Sequence, residues 1–193
     1  MKNQKKRVIN DKNLLDIFAE SFCNIINKHI TYIICSGFVA IASGRSRGTE
    51  DIDMIIEKIP KIKFIELHKE LIKNDFICIQ SDDPEEIYEN YLVKGDSIRY
   101  VWNEEGFFPP EMEVKFAKDE IDLEQLKNRI KLPLTKLDIY FSPIDYNIAF
   151  KEELLRSDKD IEDAKHLRIV YEEEINEDKI IKIKERIKKL RLK

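Results

Sequence analysis

Glycine and proline are scarce in this chain of 193 residues, with 5 of one and 6 of the other, and cysteine and histidine number only 3 each. Cys23, Cys35 and Cys78 are odd in number and widely spaced, which argues against a disulfide framework or a cysteine zinc site and leaves reduced, mostly buried thiols as the expectation. His29, His68 and His166 are equally scattered, and no two stand three or four residues apart, the spacing that sets two ligands on one helical face. No run approaches the roughly 20 apolar residues that a membrane-spanning helix needs. The basic stretch from Met1 to Arg7 is not followed by the apolar segment of a secretion signal, so a cytoplasmic protein is expected. A formal net charge of −4 suggests no general affinity for nucleic acid. Internal repeats and low-complexity linkers are lacking as well.

What the chain does have is 42% hydrophobic residues for a core and 37% charged residues for its surface. At this length it fits one domain, or one domain with a modest helical extension. Lys, Ile and Glu dominate, a bias shared by proteins adapted to heat and by those of AT-rich genomes. The spacing of Leu14, Ile17, Phe18, Phe22, Ile25 and Ile26 predicts an amphipathic helix over 13–28. Strands are expected at 31–35, 51–56, 76–80, 97–103, 112–118 and 136–141. Helices are expected at 38–42, 61–74, 84–93 and 121–130, with a polar loop over 44–49 and an aromatic hairpin loop over 104–110. From Ser142 onward the pattern is helical. Ser142 reads as a cap, Pro143 as the first helical residue and Asp145 as the acid three positions on. Helices then run near 144–155, 158–174 and 177–192. The expected division is a core with its N-terminal helix over 1–141 and a helical segment over 142–193 packed on it.

The chemistry sits between Tyr32 and Ile56, in YIICSGFVAIASGRSRGTEDIDMII. Side chains alternate across a strand, so Asp51 and Asp53 leave one face while Ile52 points to the other. Two carboxylates that close repel unless a cation lies between them, and this donor set suits Mg²⁺, or Mn²⁺, which takes one or two carboxylates together with substrate phosphates. The Ser36-Gly37 turn opens a short helix whose first N–H groups favour phosphate. The Ser36 hydroxyl can donate to a phosphate oxygen, and Gly37 admits a close approach. Arg45 and Arg47 lie in the following loop and suit bidentate phosphate contacts. Phe38 stands directly after the turn, a bulky residue beside the path that a phosphate would take.

The order of strand, Ser-Gly turn, short helix, basic loop and Asp-x-Asp in SGFVAIASGRSRGTEDID resembles the nucleotidyltransferase superfamily related to DNA polymerase β. Within it, the chain is most similar to small prokaryotic stand-alone members of the AbiEii-type toxin and minimal nucleotidyltransferase groups. The segment FSPIDYNIAFKEELLRSDKDIEDAKHL resembles the helical stretch that follows the core in such proteins, so the likeness covers most of residues 31–170. It implies an α+β fold with a mixed sheet flanked by helices and a C-terminal helical extension. It also implies metal-dependent transfer of a nucleoside monophosphate from a nucleoside triphosphate such as ATP to a protein hydroxyl or to tRNA. The setting it suggests is a toxin–antitoxin system, with a toxin or antitoxin partner or a second copy of the chain. Relatives carry a third carboxylate on a later strand, for which Glu113 is preferred over Asp138. Their helical segment also contains a lysine matched by Lys151, placed near the nucleotide.

Simpler readings stand beside these. Lys159–Asp163 and Glu162–His166 are each four apart and would form ordinary helical pairs. The loop Glu105-Gly106-Phe107-Phe108-Pro109-Pro110 would fold onto its own sheet, or else stack on a base or dock a partner. The segment from Asn176 to Lys193 holds eight Lys or Arg against three acids and would be a packed helix with a solvated basic face, or an RNA contact. A non-catalytic regulatory domain of the same fold, binding a nucleotide or a partner protein, is the alternative to the enzyme.

Overall fold

A computed structural model of the chain describes residues 12–49, 51–103 and 110–192. The aromatic loop expected at 104–110 therefore lies, except for Pro110, outside the described residues. Helix α1 (Leu14–His29) starts at a reciprocal cap: Asp16 donates its N–H to Asn13 Oδ1 at 2.8 Å, and Asn13 donates its N–H to the Asp16 carboxylate at 3.3 Å. Strand β1 (Tyr32–Cys35), helix α2 (Gly37–Ala42), strand β2 (Asp51–Ile56), helix α3 (Lys61–Lys73) and strand β3 (Phe76–Cys78) follow. Helix α4 (Pro84–Ile87) runs into a π-helical turn, Tyr88–Leu92, before strands β4 (Ile98–Trp102) and β5 (Glu111–Phe116) and helix α5 (Glu120–Lys127). Helix α6 (Ile144–Phe150) continues as a second π turn, Lys151–Leu155, and α7 (Asp158–Val170) and α8 (Glu177–Arg191) close the order.

The five strands form one mixed sheet in the order β1-β2-β5-β4-β3. Only β2 and β5 are parallel, and they lie side by side at its centre. One face carries Ile52, Met54 and Ile56 of β2 with Met112 and Val114 of β5, all buried. Helix α1 covers it with aromatic contacts: Phe18 meets Trp102 edge-on at 5.0 Å, and Phe22 lies 5.1 Å from Phe76 and 5.4 Å from Tyr100. Helix α3 adds Phe64, Leu67 and Leu71, and its buried His68 shares a 2.8 Å hydrogen bond with the Tyr100 hydroxyl. On the other face Ile55 joins Ile33, Ala117 and Leu126 in a smaller apolar cluster. Asp51 and Asp53 precede Ile55 on that face and remain exposed and half-buried, so the sheet leaves its polar end open.

The C-terminal helices pack around that open end. Ser43, at the end of α2, bonds the Tyr171 hydroxyl at 2.9 Å, and His166 Nε2 lies 3.1 Å from the Ser43 carbonyl. Helix α8 buries Ile180, Ile183 and Ile187. Most of its cations are paired with neighbouring acids, while Lys182 and Lys189 stay on the exposed face. Lys179 pairs with Asp145, Lys184 with Glu152, Arg186 with Glu124, Lys188 with Glu153, and Arg191 with Asp119 and Asp122. These pairs fasten the segment to the core and leave fewer free charges for a nucleic-acid backbone. Among the described residues no helix is long and apolar enough to cross a membrane.

Two local expectations are corrected. No strand forms over 136–141: a 3₁₀ turn at Pro133–Thr135 and a left-handed Lys136 (φ 58°) bend the chain, and only Phe141 makes isolated bridges, to Ile34 and Ile130. Ser142 is not the cap of α6. Pro143 takes that place, while the Ser142 hydroxyl donates to Gln125 Oε1 at 2.7 Å and its carbonyl accepts from Asn147 Nδ2 at 2.9 Å.

Candidate active site

The register of the central strands assembles the carboxylates. Asp53 lies opposite Glu113 and Asp51 opposite Glu111, and the row continues from Asp53 to Cys35 on one side and from Glu113 to Arg99 on the other. Four acids thus share one end of one face, answered there by Arg99 (3.4 Å from Glu113 and 3.6 Å from Glu111) and by Lys115 farther along β5. Asp138 is elsewhere, on an exposed turn where it pairs with Lys131. Sequence distance alone left the two candidates open. The parallel pairing of β2 with β5 is what puts Glu113 beside Asp53.

Burial raises the Asp53 carboxyl above its ordinary value; Glu113 and Asp51 push it further up, while Lys115 and a hydrogen bond from Ser36 pull against them. Ser36 holds φ 63° and ψ −134°, a conformation that glycine adopts freely and other residues adopt at a cost of about 1–3 kcal/mol. Ser36→Gly is therefore expected to stabilise the chain by about 1 kcal/mol, seen as a rise of about 2–4 °C in thermal midpoint. A fall instead would mean that the hydroxyl's support of Asp53 outweighs the strain.

Gly37 sits against a side chain from the following loop. A Cβ there would lie 3.0 Å from Nη2 of Arg47, whose guanidinium covers the start of α2. Phe38 points away from the turn into the core and stacks on Phe141 at 6.5 Å, so it does not crowd the open face.

The cations expected near phosphate are gathered by one acid. Asp163, fully buried on α7, accepts from Arg45, from Arg47 at 2.6 Å and from Lys151 at 2.7 Å. Arg45 also donates to the Lys159 carbonyl at 2.9 Å, and Lys151 reaches Asp160 at 3.3 Å. The local pairs expected on α7 do not form: Asp163 is taken by the loop, and Glu162 pairs with Lys165 at 2.8 Å. Lys159 thereby keeps an ammonium without a hydrogen bond or ion pair among the described residues.

Two hollows flank the aspartates. The outer one, about 470 Å³, is polar and is bounded by Arg47, Gly48, Thr49, Asp51 and Lys159. The inner one, about 140 Å³, has Ser36 and Asp53 at its rim, Lys115 on one side, and Ile55, Phe150 and Leu154 among its walls. Sequence reading missed both Lys159 and Lys115. Lys159 was hidden by its spacing to Asp163, whereas the strand periodicity that places Glu113 on the site face places Lys115 there too.

Among the described residues no group of three or more His, Cys, Asp or Glu side chains is placed to hold a metal by itself. The pair Asp51 and Asp53 nevertheless fits a hard divalent cation that draws its remaining oxygens from substrate and water. The fit is electrostatic: Asp53 carries a carboxyl raised partly by its acidic neighbours, and a cation between the two would relieve it.

Comparison with solved structures agrees with this architecture. An antigenic nucleotidyltransferase-like protein from Paracoccidioides brasiliensis superimposes with a TM-score of 0.54 at 14% identity, over 93% of this chain and 89% of that one. The antibiotic-resistance factor ANT(2'')-Ia aligns over 90% of this chain and 93% of its own at 12% identity, with a TM-score of 0.48. No protein-family model and no curated protein matches the sequence. The superposition on the Paracoccidioides brasiliensis protein, across nearly the whole of both chains, gives this chain, with its mixed five-stranded sheet, the fold of nucleotidyltransferase-like proteins.

Proposed function

We propose that the chain is a metal-dependent nucleotidyltransferase that moves a nucleoside monophosphate from a nucleoside triphosphate to a hydroxyl acceptor. The observation that carries this reading is the parallel register that sets Glu113 beside Asp53, two residues from Asp51, on the open face of a sheet with this fold. Asp51 and Asp53 would hold Mg²⁺, or Mn²⁺ in its place, which would supply positive charge against the triphosphate. Ser36 and the N–H groups opening α2 steady the phosphates, with Arg47 and Lys159 on the wall of the outer hollow. Glu113 takes the proton of the acceptor hydroxyl as its oxygen attacks the α-phosphorus. The bond to the β-phosphate oxygen breaks and pyrophosphate leaves. Arg45 and Lys151 act one step removed, by fixing Asp163 and through it Arg47. The acceptor that resemblance suggests is a protein hydroxyl or an RNA end, in a cytoplasmic toxin–antitoxin setting.

Nucleotide and Mg²⁺ at about 100 times their dissociation constant are expected to stabilise the wild type by roughly 2.7 kcal/mol, or about 5–10 °C. The shift should vanish in the Asp51→Asn/Asp53→Asn protein. A shift that survives the double change, or that needs no metal, would sink the metal site.

A second reading, a non-catalytic nucleotide-binding regulator of the same fold, draws on one observation. Arg99 bridges Glu113 and Glu111 and so occupies the proposed base. If Arg99→Gln abolishes transfer along with Glu113→Gln, the bridge belongs to the catalytic arrangement. If neither change alters cellular function, the regulator is favoured.

A further inference from the structure

The inner hollow has a size and a polarity that the proposed reaction does not by itself require. Its floor and walls are apolar, supplied by Ile55 of β2, Phe150 of α6, and Leu154 and Leu155 of the second π turn. Its volume is about 140 Å³. An enclosed apolar cavity of about 150 Å³ accepts one benzene molecule, so this partly open space is of the size of a single six-membered ring.

The polar groups around the ring space are nearly all committed. Gln125 accepts from Ser142 at 2.7 Å and donates to Asp122 at 3.3 Å. Asn147 spends its amide N–H groups on the carbonyls of Ser142 and Pro143, at 2.9 and 3.2 Å. Lys151 is held by Asp163 and Asp160, and Arg191 by Asp119 and Asp122. Lys115 differs: it lines the hollow and makes no hydrogen bond or ion pair among the described residues, only a longer-range attraction to Asp53. An ammonium offers three donors and no acceptor, so it calls for a carbonyl or another acceptor on the guest.

One ring with a carbonyl on its edge describes a pyrimidine base, since both cytosine and uracil carry the C2 carbonyl. Adenine has two rings and no carbonyl; guanine has a carbonyl but again two rings. The rim supplies the remaining link, because Ser36 and Asp53 border the hollow and also belong to the proposed phosphate and metal site. We propose that the inner hollow seats the base of the nucleotide, that the substrate is a pyrimidine nucleoside triphosphate, and that Lys115 donates to the C2 carbonyl. This rests on the nucleotidyltransferase reading above and adds the choice of nucleotide to it. The inner and outer hollows then receive the two ends of one molecule, the ring on the apolar side of the aspartates and the terminal phosphates on the cationic side.

The test is equilibrium binding of CTP, UTP, ATP, GTP and inorganic triphosphate to the full chain with Mg²⁺. CTP and UTP should bind at least about tenfold more tightly than either purine, the discrimination that a pocket's shape and one hydrogen bond supply. Leu154→Ala enlarges the ring space and should narrow that gap by admitting ATP. Leu155→Ala, at a more exposed wall position, provides the same readout if the first variant folds poorly. Lys115→Met should reduce the preference for both pyrimidines over ATP. Wild-type binding of ATP or GTP as tight as that of CTP and UTP would overturn the inference and leave the nucleotidyltransferase reading intact. Inorganic triphosphate binding as tightly as every nucleotide would do the same, since the ring would then be unread. Binding of none of these ligands would overturn both.

Discussion

Replacing Asp163 by alanine is expected to destabilise the protein by about 3–5 kcal/mol, the usual cost of removing one partner from a buried ion pair. In thermal midpoint this is a fall of about 6–20 °C for a chain of this size. The carboxylate is fully buried and has three cations on it, from the 44–49 loop and from the second π turn. The two arginines keep about a fifth of their side-chain surface exposed (20% and 18%) and can turn to water when the acid is gone. Lys151 cannot: its side chain is 1% exposed, and only Asp160 remains to it at 3.3 Å. Burial already lowers its ammonium, with Asp160 pulling the other way, so loss of Asp163 pushes that group further toward its neutral form. The double change Asp163→Ala/Lys151→Met should therefore recover part of the lost stability, and the shortfall measures the coupling. A loss below about 1 kcal/mol for the single change, as for surface pairs, would show that the cluster is open to water.

Asp53→Asn should separate chemistry from stability. If the proposed transfer takes place here, it is expected to fall by on the order of 10³ or more, because a carboxylate that would help hold the cation is gone. The metal-free protein should meanwhile gain stability at neutral pH. The sign follows from linkage. Burial, with Glu113 and Asp51, holds the folded carboxyl above its unfolded value, so the folded state binds that proton more tightly. This contribution is complete below the ordinary carboxylate range and is lost as pH rises through the raised value. At neutral pH the wild type therefore carries a penalty that asparagine removes. On the proposed metal reading, Mg²⁺ would relieve the same penalty and the proton would compete with it. Metal affinity should then begin to fall on acidification at a higher pH than an ordinary aspartate would cause. Denaturation midpoints against pH for both proteins, with chelator and with Mg²⁺, read out each part. A variant less stable than wild type without metal would contradict the sign.

Much of this site could be read from local sequence, and the reason is periodicity. Alternation along β2 sets Asp51 and Asp53 on one face, and alternation in β5 keeps Glu113 on one face of its strand, but only the pairing of the two strands brings it to Asp53. Apolar spacing located α1, whereas the cap read at Ser142 gave way to Pro143 because the Ser142 hydroxyl is drawn to Gln125 from another element. What escaped was decided by partners distant in the chain. Asp163 stands four residues after Lys159, an arrangement that favours a pair on the helix, yet Arg45 and Arg47 outcompete it from another element. Residues 136–141 alternate like a strand, but Pro133 and the left-handed Lys136 set a bend that leaves only Phe141 bridged. Phe38 looked like an obstacle because its position in the sequence gives no direction. The first turn of α2 turns it inward, against Phe141.

The parallel pairing of β2 with β5 also bears on the order in which the molecule is made. These strands are neighbours in the sheet, but α3, β3, α4 and β4 lie between them along the chain. The antiparallel partners β1 with β2 and β4 with β5 are close in sequence and form at a low cost in loop closure, whereas the central join must first bring distant segments together. Glu113 meets Asp53 only at that join. The proposed nucleotide site is thus a product of the slowest class of contact in the fold. A ligand that recognises the finished site cannot guide its assembly, and its stabilising effect falls on the escape from the native state rather than on the approach to it.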